Sequence, residues 1–332
     1  MKVVTMGELM LRLEPHGHLR FAQTDSFGVS YGGGEANVAV SLANFGAQAT
    51  LVTKLPKHEI GQAAVNSLRR FGVDTSFIVR GGERVGIYFL EKGASQRPGK
   101  VIYDRAGSSF ALAGHAEFDW DKIFEGADWF HFTGITPSLG GNAALTTLNA
   151  LKAAKAFGIP VSCDLNYRSK LWSRESAREV MSGLMKYVQV CITNELDASR
   201  IFGIEPDKGG ATAGKLNKAG YESVAKQLME QFCFQKVAIT LRGSVTHSDN
   251  LWAGMLYSGV KPHFSKEYAI RLVERVGGGD AFSAGLIYAL LSKYDDHEAI
   301  EFATAASCLK HSVEGCYNMV TAEEVKELAN NG

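Results

Sequence analysis

Short apolar runs alternate with longer stretches of helical periodicity along most of this chain, and no other feature narrows its architecture as much. Val3 to Met6, Thr50 to Lys54, Ser76 to Val79, Trp129 to Thr133, Pro160 to Asp164, Val188 to Thr193 and Lys236 to Leu241 have the length and apolar content of buried strands. Between and after them lie helical patterns: from the turn at Gly32 to Asn37, from Gly61 to Phe71, from Asn142 to Phe157, one through Met185, then Glu222 to Phe232, Ala281 to Lys293 and His297 to His311. In the first, Val38, Leu42, Ala43 and Phe45 form the inward stripe; in the third, Leu145, Leu148, Leu151 and Ala154 do. Gly46 and Gly72 stand where C-terminal caps belong. Such alternation predicts an α/β fold: a largely parallel sheet covered by helices on both faces, joined by right-handed crossovers.

The rhythm breaks between Arg84 and Leu112. Gly86 to Leu90 and Val101 to Asp104 flank a turn rich in Gly, Lys and Pro, which predicts a hairpin. With β-like runs at Met10–Leu13 and Phe27–Tyr31, it forms a small antiparallel sheet outside the main body. Such a sheet reads either as a lid or as a meander on the main sheet's edge. Two more β-like runs, Leu251–Gly254 and Tyr257–Lys261, follow the last parallel strand. No linker interrupts the chain, so residues 1–332 are expected to be one domain, its lid drawn from about 10–31 and 84–112.

Lys+Arg and Asp+Glu both number 35, which leaves no electrostatic footprint for nucleic acid. No apolar run is long enough for a membrane span. Cys163, Cys191, Cys233, Cys308 and Cys316 lack metal-ligand spacing and lie mostly in apolar surroundings, as in a reduced, cytoplasmic protein. The N-terminal Met1–Glu8 has the pattern of a strand and turn, without a signal peptide's apolar core.

Five polar clusters follow predicted β runs. Gly277-Gly278-Gly279-Asp280 opens a helix, and reads equally as a flexible turn capped by Asp280 or as a cradle of backbone N–H groups for an anion. Gly32 to Asn37 offers donors and an amide, or an ordinary tight turn. Asn194-Glu195-Leu196-Asp197 suits a magnesium ion, or an acidic first helical turn. Thr240-Leu241-Arg242-Gly243-Ser244 and Leu165-Asn166-Tyr167-Arg168 add hydroxyl, amide and guanidinium groups. Ligands collect at the C-terminal edge of open α/β sheets, so five clusters on that edge favour one joint site. Gly209 to Lys215 imitates a P-loop, but Leu216 replaces the required hydroxyl and no strand leads in; it reads as a surface loop.

On these motifs the chain resembles the ribokinase-like (PfkB) carbohydrate kinases over essentially its full length. The resemblance rests on Gly33, Gly34 and Asn37, on the Asn194 segment, and on Gly277, Gly279 and Asp280 in that order. Gly7 to Arg12, Tyr31 to Asn37, Tyr103-Asp104-Arg105, Asp164 to Arg168 and Thr240 to Ser244 look most like the family's 2-keto-3-deoxygluconate kinases.

The resemblance implies ATP-dependent phosphorylation of a sugar-acid hydroxyl, with Asp280 as base and the backbone of Gly277, Gly278 and Gly279 as anion hole. It implies Gly34, Asn37, Tyr88, Tyr103, Arg105 and Arg168 as substrate ligands. Asn166, Asn194, Thr240, Arg242, Gly243 and Ser244 would serve ATP, and Asp197 the Mg²⁺ side. A homodimer is expected through exposed lid edges. The common Asp-Thr-Thr-Gly-Ala-Gly-Asp stretch is here Glu-Arg-Val-Gly-Gly-Gly-Asp, beginning at Glu274; Asp197 replaces the usual Glu, and Cys316 a frequent Asp. The alternatives are a fructokinase or another sugar kinase of the family, and a non-catalytic sugar-acid-binding regulator. A dehydrogenase would need a Gly-rich fingerprint after the first strand, where only Met6-Gly7-Glu8 stands.

Overall fold

The computed structural model describes residues 1–207, 217–244 and 249–331, apart from the side chains of Glu195 and Ser244. The P-loop imitation at Gly209 to Lys215 lies outside the described residues. Among the described residues the strands are β1 Lys2–Met6, β2 Met10–Glu14, β3 Gly28–Gly32, β4 Gln48–Leu55, β5 Ile78–Arg80, β6 Ile87–Glu91, β7 Lys100–Asp104, β8 Trp129–Thr133, β9 Val161–Asp164, β10 Val190–Thr193, β11 Lys236–Ser244, β12 Asp249–Tyr257, β13 Pro262–Phe264 and β14 Tyr268–Arg271. The large sheet runs β13-β12-β11-β10-β9-β8-β1-β4-β5, with β14 also on β12. Every neighbouring pair from β5 to β11 is parallel, and β12, β13 and β14 complete one edge antiparallel.

Side-chain alternation divides this sheet's residues between two cores. Val3, Ile192 and Ala238 pack on one face under the helices Gly34–Asn44, Gly278–Leu291 and Asp296–Lys310. Their neighbours Val4, Cys191, Val237 and Ile239 pack on the other under Gly141–Ala156, Arg174–Met185 and Lys218–Phe232. Burial on both faces explains why the strands read as continuous apolar runs. The chain leaves β1 toward β4 and β5, then returns to β8 and proceeds the other way, so a topological switch point lies between β1 and β8. Among the described residues no helix is long and apolar enough to cross a membrane.

The smaller sheet has the order β3-β2-β6-β7. The hairpin is present, with Tyr88 opposite Tyr103, but the sheet is mixed where an antiparallel one was expected. β2 and β6 are parallel, with Leu11 beside Ile87 and Leu13 beside Phe89, because the chain crosses the large sheet between them.

Three further expectations shift. Leu145 is 45% exposed, whereas Leu151 and Ala154 are buried as expected and Leu148 packs partly buried on the same core; Ala143, Thr146, Thr147 and Ala150 complete the buried face of the Gly141–Ala156 helix. Small residues there let the helix sit close to its neighbours, a fit that a stripe of large residues does not reveal. The run from Tyr257 to Lys261 is not a strand: Tyr257 ends β12, and Ser258 to Lys261 turn the chain toward β13. β11 continues to Ser244, paired with β12 through Gly243 opposite Leu251.

Candidate active site

Gly277 caps the Gly278–Leu291 helix with φ +87°, in the left-handed region that favours glycine. A Cβ at Gly277 would collide with the carbonyl of Cys316, and one at Gly278 with the ring of His311. At Gly279 a Cβ would meet nothing within 4 Å, so the helix mouth opens there into free space. The first-turn N–H groups of a helix lack intrahelical partners and carry its positive dipole end.

Asp280 follows, in the first turn, 9% exposed. Its Oδ2 accepts a hydrogen bond from Nδ2 of Asn37 at 2.6 Å. Asn37 in turn accepts from the Gly33 N–H at 3.4 Å, so both ends of this amide are engaged within the protein. Burial pushes the Asp280 carboxyl up to about 6; the Asn37 bond opposes this, Glu35 adds to it, and Arg168 and Lys310 oppose it. Glu35 is itself buried and raised by burial, but it accepts from the N–H and hydroxyl of Thr133, both at 2.9 Å, and from the Thr136 hydroxyl at 2.6 Å. It fixes the Gly34–Asn44 helix to the end of β8.

Asp280, Asn37, Gly277 and Gly279 line a cavity of about 1140 Å³ over the C-terminal ends of β8 to β11. Gly34, Asn37, Tyr88, Tyr103, Arg105, Asn166, Arg168, Asn194, Asp197, Thr240, Arg242, Gly277, Gly279 and Asp280 all lie on its wall. Gly278 lies behind the wall, and Gly243 stands in the β11–β12 ladder away from it. The described atoms of Ser244 are likewise in that ladder.

Asn194 caps the Glu195–Phe202 helix: its Oδ1 accepts from Asp197 N at 2.9 Å, while its Nδ2 donates to Asp197 Oδ2 at 2.9 Å. Helix cap and cavity wall are thus the same residues. Burial raises Asp197, against the pull of Arg168 and the Asn194 bond. Asp164, at the end of β9, is raised well above the usual range by burial and by the charges of Asp197 and Asp280. This carboxylate was missed as a site residue, although an acid closing an apolar strand was the available signal.

The small sheet supplies the opposite wall. Tyr88 places its hydroxyl 3.0 Å from Cys316 Sγ, and the guanidinium of Arg105 lies 5.6 Å from the Tyr103 ring centre. Arg105 donates through Nε at 2.8 Å, and also through Nη2, to the buried Glu8 carboxylate. The turn joining β6 and β7, including Gly93, Ala94 and Pro98, also faces the cavity.

Glu274, where the chain leaves the common family stretch, has a structural task. Its Oε1 accepts from the N–H groups of Arg275 at 2.9 Å and Val276 at 3.1 Å, just ahead of Gly277. Its Oε2 pairs with Arg12, a fully buried guanidinium of β2 that also reaches Glu14 and lies 3.1 Å from Cys316 Sγ. Opposing burial, the charges of Cys316 and Glu274 hold Arg12 firmly protonated.

The profile described as pfkB family carbohydrate kinase matches residues 1–323. The crystal structure of 2-dehydro-3-deoxygluconokinase from Thermotoga maritima is 50% identical, with a TM-score of 0.95 and coverage of 100% of this chain and 98% of that one. A 2-dehydro-3-deoxygalactonokinase of Haloferax volcanii is 32% identical over 100% of this chain and 97% of its own length. A 2-dehydro-3-deoxygluconokinase of Thermoproteus tenax is 27% identical over 94% and 89%.

Proposed function

The chain belongs to the pfkB family of carbohydrate kinases, and from that premise we propose that it transfers the γ-phosphoryl group of ATP to 2-keto-3-deoxygluconate, forming the 6-phosphate. One observation carries the reading: a buried carboxyl at a helix N-terminus, Asp280, borders the open space at Gly279 in the cavity that also holds Arg105 and Arg168. A carboxylate substrate suits guanidinium partners, which a neutral sugar does not need. The names of relatives sharing half or a third of the sequence agree with such a substrate.

Asp280 accepts the proton of the substrate hydroxyl through Oδ1, its Oδ2 being held by Asn37. The freed oxygen attacks the γ-phosphorus, the bond from that phosphorus to the bridging oxygen breaks, and ADP leaves. The N–H groups at the Gly277–Gly279 turn receive the charge that spreads over the transferring group. Arg105 and Arg168 bind the substrate carboxylate, with Tyr88, Tyr103 and Gly34 shaping the sugar's berth. Asn166, Asn194, Thr240 and Arg242 hold the nucleotide phosphates.

Asp164 and Asp197 would suit a magnesium ion: burial first, and then the neighbouring charge of Asp197, raise Asp164, and a divalent cation would relieve both. Among the described residues no three acidic, His or Cys side chains cluster as a full metal cage, and magnesium keeps waters and phosphates as its other ligands. When bound, the ion supplies positive charge to the phosphates. The small sheet, with its β6–β7 turn over the cavity, acts as a lid of the single domain and excludes water from the transfer.

A coupled ATP assay across 2-keto-3-deoxygluconate, its galactonate epimer, fructose and ribose tests the assignment. Highest kcat/KM on a sugar acid is expected; preference for fructose overturns it.

A further inference from the structure

Lys310 ends the Asp296–Lys310 helix with a fully buried side chain, an unusual place for an ammonium. Its Nζ donates to the carbonyl of Val313 at 2.9 Å. Its Cε lies 3.0 Å from the point where a Cβ on Gly277 would stand, directly behind the glycine turn. Facing it are Glu274 and Asp280 from the segment entering the Gly278–Leu291 helix, Cys316 from the following loop, and Arg12 from β2. His311, its chain neighbour, responds to the same charge. Arg12 is already matched by Glu14 and Glu274. Lys310 forms no ion pair of its own among the described residues.

A cation at a helix C-terminus stabilises that helix wherever it is. An exposed lysine would do that without the cost of burial, so its position behind the turn calls for a second role. We propose that Lys310 is a positioning residue for phosphoryl transfer: a built-in cation that braces the Gly277–Gly279 turn from behind and raises the positive potential where the transferring group passes. The inference rests on the kinase reading above. Burial brings the Lys310 ammonium down to about 8, with Glu274 and Cys316 opposing the fall, so its charge fades within reach of ordinary assays.

The test compares full-length wild type with K310M, K310R and K310A, using 2-keto-3-deoxygluconate and ATP. In K310M, kcat is expected to fall about tenfold or more while KM for the sugar acid stays within about threefold. The acid limb of kcat/KM should move to higher pH, because Asp280 loses a nearby positive charge. Added ammonium should restore part of the activity of K310A. A folded K310M with near-normal kcat and an unmoved acid limb overturns the proposal, leaving a helix-capping role read only in the melting temperature. Should K310M fail to fold, wild type decides: its kcat should decline as pH rises through about 8, and K310R should lack that decline. A wild-type profile flat to about pH 9.5, or one shared by K310R, overturns the idea. Wild type that consumes ATP with none of the sugar acids, fructose or ribose would instead refute the kinase reading, and this inference with it.

Discussion

Asn37 reaches Asp280 across 243 positions of sequence, its amide donating to Oδ2 at 2.6 Å. The bond joins the first turns of two helices, Gly34–Asn44 and Gly278–Leu291, and leaves Oδ1 on the side of Gly34. It also opposes the rise in Asp280's proton affinity that burial imposes.

Activity should therefore depend on an acid limb near pH 6, since only the carboxylate can take a proton. Removing a donor that favours the charged form raises the pKa further. Asn37→Ala is expected to shift the limb of kcat/KM upward, measured with saturating ATP across pH 5 to about 8. A downward shift would contradict the assigned role of this bond.

Asp280→Asn should lower kcat about a thousandfold while sugar-acid affinity, measured by calorimetry, changes little. The same variant should melt higher than wild type at neutral pH. Asp280 has a raised folded-state pKa, so its contribution to stability is full below about pH 4 and is lost as pH rises through about 6. At pH 7 the buried charge opposes folding by on the order of 1–3 kcal/mol, which the neutral amide removes. The gain in melting temperature should vanish near pH 4.

The three glycines should separate in an alanine series. Gly277→Ala and Gly278→Ala meet the Cys316 carbonyl and the His311 ring, and should lower the melting temperature by several degrees. Gly279→Ala meets nothing, so its melting temperature should hold while kcat/KM falls at least about tenfold, the methyl now occupying the mouth of the anion hole. Equal melting of all three would contradict the packing behind the turn.

Arg12→Met should destabilise by about 3–5 kcal/mol in urea unfolding, because it strands the buried Glu274 carboxylate. Combining it with Glu274→Met should recover much of that loss, since the buried carboxylate is removed along with its partner and Glu14 keeps Lys92 at 3.8 Å. Additive losses would mean that the two side chains stabilise independently.

The parallel strands and the polar clusters at their ends were legible in sequence because each depends on a local pattern. Asn166, Asn194 and Thr240 each follow an apolar run, and the sheet topology alone then brings them to one cavity. The parallel β2–β6 pairing was not legible, since nothing in Met10–Glu14 or Ile87–Glu91 specifies its neighbour. Nor were the burial of Arg12 and Lys310: a lone basic residue beside an apolar stretch looks the same in sequence whether it snorkels to solvent or closes a charge network. Glu274 appeared only as a departure from a pattern, and its meaning lay in the distant Arg12.

The parallel pairing of β2 with β6 also limits what can be cut away. The small sheet's halves are separated in the chain by the Gly34–Asn44 and Glu59–Arg69 helices with β4 and β5, so it is no cassette that one deletion could remove. Excising the β6–β7 hairpin would leave β2 with a bare edge and strip Tyr88 from Cys316, while excising β2–β3 would sever β1 from the helix that carries Asn37. Either trimmed protein would lose a wall of the cavity together with part of the framework that aims Asp280, so this cover and the chemistry beneath it can be inherited only together.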